Sequence, residues 1–344
     1  MIRFDCDYTE GAHPKILEKL SMTNYEQTVG YGEDVYCKEA KRIIKEKCRR
    51  QDIDVHFLVG GTQANLTVIA AALRPHQGAI AASTGHINVH ETGAIEATGH
   101  KVLPLNSSNG KLTAEQIQDA FDAHFNDSSA EHMVQPKLVY ISNPTEIGTI
   151  YSKTELTAIS ETCKKNKLIL YMDGARLGYG LCSDDNDLDL QTIAKLCDVF
   201  YIGGTKIGAL FGEAVVIANE ALKEDFRYLI KQKGGMLAKG RLLGIQFSTL
   251  FEDDLYFKMS KHADKMAMLI KKALTEKGYP FLIESSTNQQ FPIMPDAVLE
   301  KLSKNYVYSY WQRVDKTHSA VRFCTSWATK EENVVKLIED IKIL

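Results

Sequence analysis

Lys206 closes the run DVFYIGGTK, where an apolar strand pattern gives way to Gly203, Gly204 and Thr205, and Ile207, Gly208 and Ala209 follow it rather than other charges. A lysine held in apolar surroundings sheds its proton near neutral pH, and the free amine attacks carbonyl carbon. Asp173 ends the apolar run KLILYM and opens Asp173-Gly174-Ala175-Arg176. A carboxylate at the end of a buried strand stays ionised only when it is paired or hydrogen-bonded, and a protonated pyridine nitrogen is a partner that suits it. Gly60-Gly61-Thr62-Gln63-Ala64-Asn65 joins a strand pattern to a helix pattern, so Gly61 and Thr62 offer backbone N–H groups and a hydroxyl at a helix N-terminus, a cradle for phosphate. His86 follows the strand pattern AIAAS and offers a ring that can stack on a flat cofactor. His90, one turn later, reads as structural: without HExxH order or a third ligand, no metal site is expected.

Each feature alone has an ordinary explanation: a solvated loop lysine, a helix-capping aspartate with Arg176 as its ion pair, a plain N-cap. Together they fall at the ends of strands in one sheet, where open α/β proteins bind ligands. A Schiff-base lysine, a carboxylate for a pyridinium, a phosphate cup and an aromatic lid outline a pyridoxal-phosphate site.

The elements that must position these residues can be read from periodicity. HPKILEKLSM and CKEAKRIIKEKCRR carry apolar residues at helical spacing, and DVHFLV, AIAAS, HKVLPL, PKLVYIS, KLILYMD and DVFYIGG are short apolar runs separated by helical patterns. Such alternation predicts an α/β large domain with a mostly parallel, doubly wound sheet, its core at about 54–219. GEAVVIAN reads as one more strand, antiparallel at an edge or turning back. Residues 87–98 read as helical. So does the segment 220–277, broken at Lys233-Gly234-Gly235. YPFLIE, NQQFPIM, VYSYW and SAVRFCT, with DAVLEKLSKN and a closing helix from Lys330, predict a small C-terminal α+β domain. The expected partition is 1–245 for the N-terminal segment and large domain, and 246–344 for the connecting helix and small domain, with N-terminal residues helping to build the latter.

The 344 residues are 44% hydrophobic and 25% charged, with formal net charge −3, which excludes collagen-like, disordered and membrane classes and gives no pull toward nucleic acid or anionic membrane. A small-molecule partner is expected. No apolar run spans a bilayer and the start is charged within three residues, so a cytoplasmic location is expected. Seven scattered cysteines without CxxC pairs indicate neither a disulfide framework nor a thiolate zinc site.

The chain also resembles the low-specificity threonine aldolase and β-eliminating lyase group of pyridoxal-phosphate enzymes, which have the aspartate-aminotransferase fold (type I). The likeness rests on the opening FDCDYTEGAHP, on Glu33-Asp34-Val35-Tyr36, on Gly61-Thr62-Gln63-Ala64-Asn65, His86, Asp173-Gly174-Ala175-Arg176 and Lys206, and on Val321-Arg322-Phe323. It implies that Lys206 forms the Schiff base, Asp173 pairs with the pyridine nitrogen, Arg176 lies beside the ring, Gly61 and Thr62 hold the phosphate, and His86 stacks on the ring. Arg322 would clamp the substrate α-carboxylate. The implied reaction is retro-aldol cleavage of a β-hydroxy-α-amino acid to glycine and an aldehyde, with His86 as the base, directly or through water. The implied assembly is a homodimer or homotetramer with interfacial sites.

Three departures bear on the reaction. Where a typical threonine aldolase carries a substrate-side histidine, this chain reads Ser142-Asn143-Pro144-Thr145-Glu146, leaving Thr145 or Glu146 to take its work. Cys6 stands where the family has a serine that helps bind the carboxylate. The segment 231–241, KQKGGMLAKGR, is more basic than its family equivalent, which makes Lys233, Lys239 and Arg241 candidates for a phosphate or an acidic substrate, in a neighbouring subunit's site. Other readings are β-elimination, racemisation or transamination, and a cofactor-binding homologue without catalysis. A nucleotide-dependent enzyme would need a glycine fingerprint that is absent.

Overall fold

The structure, a computed structural model, describes all 344 residues. Its strands are β1 (Ile2–Arg3), β2 (Asp54–Leu58), β3 (Gln77–Ala82), β4 (Lys101–Leu105), β5 (Gln135–Ser142), β6 (Ile169–Asp173), β7 (Val199–Gly203), β8 (Glu213–Ile217), β9 (Gln289–Gln290), β10 (Ile293–Pro295), β11 (Tyr306–Val307), β12 (Ser309–Arg313) and β13 (His318–Cys324). Seven of them form one sheet in the order β2-β8-β7-β6-β5-β3-β4. From β7 to β4 every neighbouring pair is parallel, as helical crossovers require, and β8 alone runs against its neighbours. The expected α/β architecture with a mostly parallel sheet is borne out.

Alternation along the strands sends neighbouring residues into opposite cores. Ile80 and Ala82 join a cluster of 39 buried residues, while Ala79 and Ala81 join a cluster of 20 on the other face. With both faces covered, the strands read as continuous apolar runs, as β3 and β7 do, every residue of which is buried.

β8 is antiparallel, but it is an interior strand and not an edge. The loop 204–212 is too short for a crossover, so the chain turns back beside β7, and β2 then adds outside β8. All five β8 residues are accordingly buried. Residues 87–98 also differ from expectation: only one turn, His86–Val89, and a 3-10 turn, Glu96–Thr98, are helical. Thr92 and Gly93 at φ 51° and 70° break the run between them. YPFLIE forms no strand, only a bridge from Phe281 to Pro292.

The second layer is a sheet in which β13 pairs with β9, β10 and β12, backed by the helices Asp296–Leu302 and Glu331–Ile343. The N-terminus belongs here: β1 pairs with β11, and Phe4 is in the same 13-residue core as Phe323 and Leu337. The first residues of the chain therefore pack with the small layer. The helix Leu255–Glu276 ties the layers together, with Tyr256, Met259 and Ala263 in the large core and Met266, Ile270 and Leu274 in the small one. No helix is long and apolar enough to cross a membrane.

Candidate active site

Between the layers, at the C-terminal ends of β2, β5, β6 and β7, lies a cavity of about 600 Å³. Its wall takes Gly61, Thr62, His86, Asp173, Arg176 and Lys206 from the large sheet and its loops, and Trp311 and Arg322 from the small one. The large-sheet residues, far apart in sequence, meet there because each lies at or just beyond the end of a strand of that sheet, and Trp311 and Arg322 come from the antiparallel strands β12 and β13.

Two close backbone approaches shape the floor. A Cβ on Gly174 would stand 1.9 Å from the Tyr201 carbonyl oxygen, and one on Gly203 would stand 2.3 Å from the Ala175 carbonyl oxygen. Only glycine lets β6 and β7 pinch together as they splay, and the Gly203 N–H donates to the Gly174 carbonyl at 2.9 Å. That fixes Asp173 and Lys206 relative to each other.

Asp173 is 5% exposed and accepts four hydrogen bonds. Oδ1 takes the Tyr201 hydroxyl at 2.5 Å and the Ala175 N–H at 3.0 Å; Oδ2 takes the Tyr140 hydroxyl at 2.7 Å and the Asn65 amide at 3.1 Å. Four donors fix the orientation of this buried carboxylate. Of the two phenols only that of Tyr201 lines the cavity. Asn65 is itself held by the Tyr171 hydroxyl at 2.7 Å and donates also to Glu91 at 2.6 Å.

Lys206 sits in a clamped loop. Glu213 accepts from the Gly204 N–H and the Thr205 hydroxyl, Thr205 accepts from the Gly212 N–H, and the Tyr179 hydroxyl donates to the Lys206 carbonyl. The amine itself makes no hydrogen bond and lies 5.9 Å from the centre of the Tyr8 ring. Burial, and then the Arg176 charge, lower its pKa against the pull of Asp7, Asp173 and Glu213. Burial raises the pKa of Glu213 in turn. An amine shifted this way is a usable nucleophile.

Arg176 spends Nε and Nη2 on Asp7, at 2.7 and 3.0 Å, which leaves Nη1 uncommitted. Asp7 is fully buried; its burial is outweighed by the Arg176 and Lys206 charges, which hold its pKa down at about 2. Arg322 donates through Nη2 to the Asp5 carbonyl and Ser309, and through Nη1 to Gln289, and lies against Trp311. His86 places Nδ1 2.7 Å from Glu91 Oε1. Burial disfavours its imidazolium, but the Glu91 bond and the Asp173 charge outweigh that and raise its pKa.

Not every expected residue reaches the wall. Thr145 is fully buried and its hydroxyl is shared with Thr149 at 2.7 Å, so it faces the Asn109–Thr149 loop packing and cannot meet substrate. Its neighbour Glu146 is on the wall instead. Cys6 is half-buried near Arg322 but is not on the wall. In the basic segment, Arg241 donates to the Thr23 and Glu26 carbonyls and Lys231 lies over the Tyr31 ring, away from this chain's cavity. His90 does line it. Sequence reasoning passed over Tyr140, Tyr201, Asp7, Glu91 and Glu213. Tyr140, Tyr171 and Tyr201 stand near the ends of three successive apolar runs, and that recurrence was the available signal.

Comparison with known proteins sets this geometry in a family. The model of the beta-eliminating lyase family matches residues 8–297. The chain belongs to the beta-eliminating lyase family. Within reach of this family assignment, a low-specificity L-threonine aldolase from Pseudomonas sp. is 30% identical over 348 residues, covering 99% of this chain and 97% of that protein. The solved structure of a Leishmania major threonine aldolase is 47% identical, with TM-score 0.97, covering 100% of this chain and 99% of that one. A Thermus thermophilus aspartate aminotransferase at 14% identity and TM-score 0.72, covering 100% and 92%, shows the shared aminotransferase fold.

Proposed function

We propose that this chain is a pyridoxal-phosphate-dependent lyase of the threonine-aldolase kind, cleaving the Cα–Cβ bond of a β-hydroxy-α-amino acid to give glycine and an aldehyde. The observation that carries it is the Lys206 amine, free of hydrogen bonds, beside an Asp173 carboxylate fixed by four donors in one cavity. The named relatives support the same reaction class.

The residues present fit the cofactor. The helix Gly61–Ala72 begins with no side-chain cap, leaving its first N–H groups for a phosphate, and Gly61 adds no side chain to crowd Tyr201, whose oxygen would lie 3.0 Å from a Cβ there. Lys206 would hold the cofactor through its aldehyde carbon, Asp173 through the pyridine nitrogen, and His86 would cover the ring. Bound there, pyridoxal phosphate supplies an electron sink for the pair released when Cα–Cβ breaks.

The chain does the rest. Arg176 and Arg322 line the cavity from the two layers, and either guanidinium would be a donor for the substrate α-carboxylate. The β-hydroxyl proton must pass to a base on the wall, and His86 and Glu146 are both there. Lys206 Nζ, on the same wall, would be the group that returns a proton to Cα.

The test is the near-visible absorption of the purified protein with pyridoxal phosphate, before and after glycine, L-threonine and L-allo-threonine, with aldehyde followed in parallel. An aldimine band that is absent in Lys206→Ala, with aldehyde released, is the expected result. A band perturbed by amino acids without aldehyde would move the reaction to β-elimination, racemisation or transamination.

A further inference from the structure

Glu146 follows the turn after β5 and, like Asp173 and Glu213, lines the cavity wall without an ion pair. Its Oε1 accepts the His86 backbone N–H at 2.8 Å and the Ser142 hydroxyl at 2.6 Å. Oε2 takes no hydrogen bond from the protein and is not sealed from the cavity. The side chain is thus oriented through one oxygen and presents the other.

The two wall bases differ in what they already hold. His86 has Nδ1 committed to Glu91, whose carboxylate is completely buried, and that bond with the Asp173 charge raises its pKa against burial. Glu146 is pushed up by burial and by the Asp173 charge, against the hydrogen bonds from Ser142 and His86, which makes its carboxylate a stronger base than an exposed one. Ser142 Oγ is also 3.3 Å from the Tyr140 hydroxyl, which donates to Asp173. Hydroxyls therefore connect Glu146 to the carboxylate that would face the cofactor.

We infer that Glu146, through Oε2, is the catalytic base for the substrate's β-hydroxyl, with His86 serving as a cover for the ring. The inference rests on the lyase reading proposed above. As the Cα–Cβ bond breaks, the O–H bond gives its proton to Oε2, the oxygen's electron pair completes the carbonyl of the aldehyde, and the Cα–Cβ pair stays with Cα. Glu146 then passes its proton to water when the aldehyde leaves, so the step needs no further reactant.

The experiment compares wild type, Glu146→Gln and Glu146→Asp in two reactions: aldehyde release from L-threonine or L-allo-threonine, and exchange of the α-proton of glycine, which has no β-hydroxyl. Glu146→Gln is expected to lower aldehyde release about 100-fold or more and glycine exchange by a far smaller factor. Glu146→Asp is expected to recover part of the loss. Infrared titration of the cofactor-free chain gives a readout apart from turnover: one carboxyl band titrating above the ordinary glutamate range should vanish in Glu146→Gln. Unchanged aldehyde release, a parallel fall in both reactions, or an unaltered infrared titration would each overturn the inference. Absence of aldehyde from wild type with every β-hydroxy amino acid tested would instead overturn the lyase reading on which it depends.

Discussion

Asp264 shows how little a residue name says about its charge. It lies on the helix joining the two layers, is 5% exposed, and neither carboxylate oxygen meets a hydrogen-bond partner. Burial, then the Asp184 charge, raise its pKa well above the usual aspartate range, and the Asn288 amide is the one group pulling the other way. The acid is neutral in the folded chain and ionised in the unfolded one over the same pH range, so its contribution is present below the unfolded pKa and is lost as pH rises. Asp264→Asn keeps the shape without the titration. It should stabilise the protein by about 1–3 kcal/mol at neutral pH and by nearly nothing below pH ~4, read from denaturant midpoints across that range. A gain independent of pH would refute the cause. His56 is the opposite case: burial, followed by Lys41 and Arg227, lowers its pKa to about 3. The unfolded chain binds the proton first, so stability should fall as pH drops from ~6.5 by up to about 1.4 kcal/mol per unit, and His56→Gln should flatten that slope.

At the scale of elements, what matters to the site is how β6 and β7 end. The Gly174 and Gly203 contacts leave no room for a methyl group. Gly174→Ala should therefore cost about 3 kcal/mol and displace Asp173 and Lys206 together, read as loss of both stability and cofactor binding. Ser152→Ala provides the contrast. It removes a complete capping box from the helix Lys153–Lys165, remote from the cavity, and should cost about 1 kcal/mol with cofactor binding intact. Equal effects on cofactor binding from the two changes would mean that the pinch does not position the site. This level was only partly legible in sequence. The apolar runs marked the strands and left β8 either at an edge or turning back, because a run of five apolar-rich residues carries no record of which strand flanks it.

The whole molecule exposes more surface than its mass requires. Its accessible area is 15548 Å², against about 14,000 Å² expected for a compact monomer of 38.5 kDa. Part of the excess is apolar and falls in one short segment: Met22, Tyr25, Val29, Tyr31 and Val35 are all exposed, Tyr25 at 95%. Apolar surface of this kind is ordinarily covered. Sedimentation should find a homo-oligomer, and Tyr25→Glu with Val29→Glu should shift it toward monomer; a wild-type monomer at micromolar concentration would defeat the expectation.

The strand ends, the lysine, the aspartate and the glycine cradle were open to reading from sequence alone, because local periodicity places a residue at the end of a strand and side-chain chemistry then limits what it can do there; the roles of Arg176 and Arg322 came only from the family resemblance. Thr145 and Glu146 were not separable that way. They are adjacent, both polar, and on opposite sides of one turn, and only the packing of Thr145 against Thr149 and of Glu146 against His86 decides which of them meets the cavity. The same holds for Tyr140, Tyr201 and Asn65: sequence gives their types, but the four bonds on Asp173 join residues up to 108 positions apart, and such a convergence exists only once the sheet has been assembled.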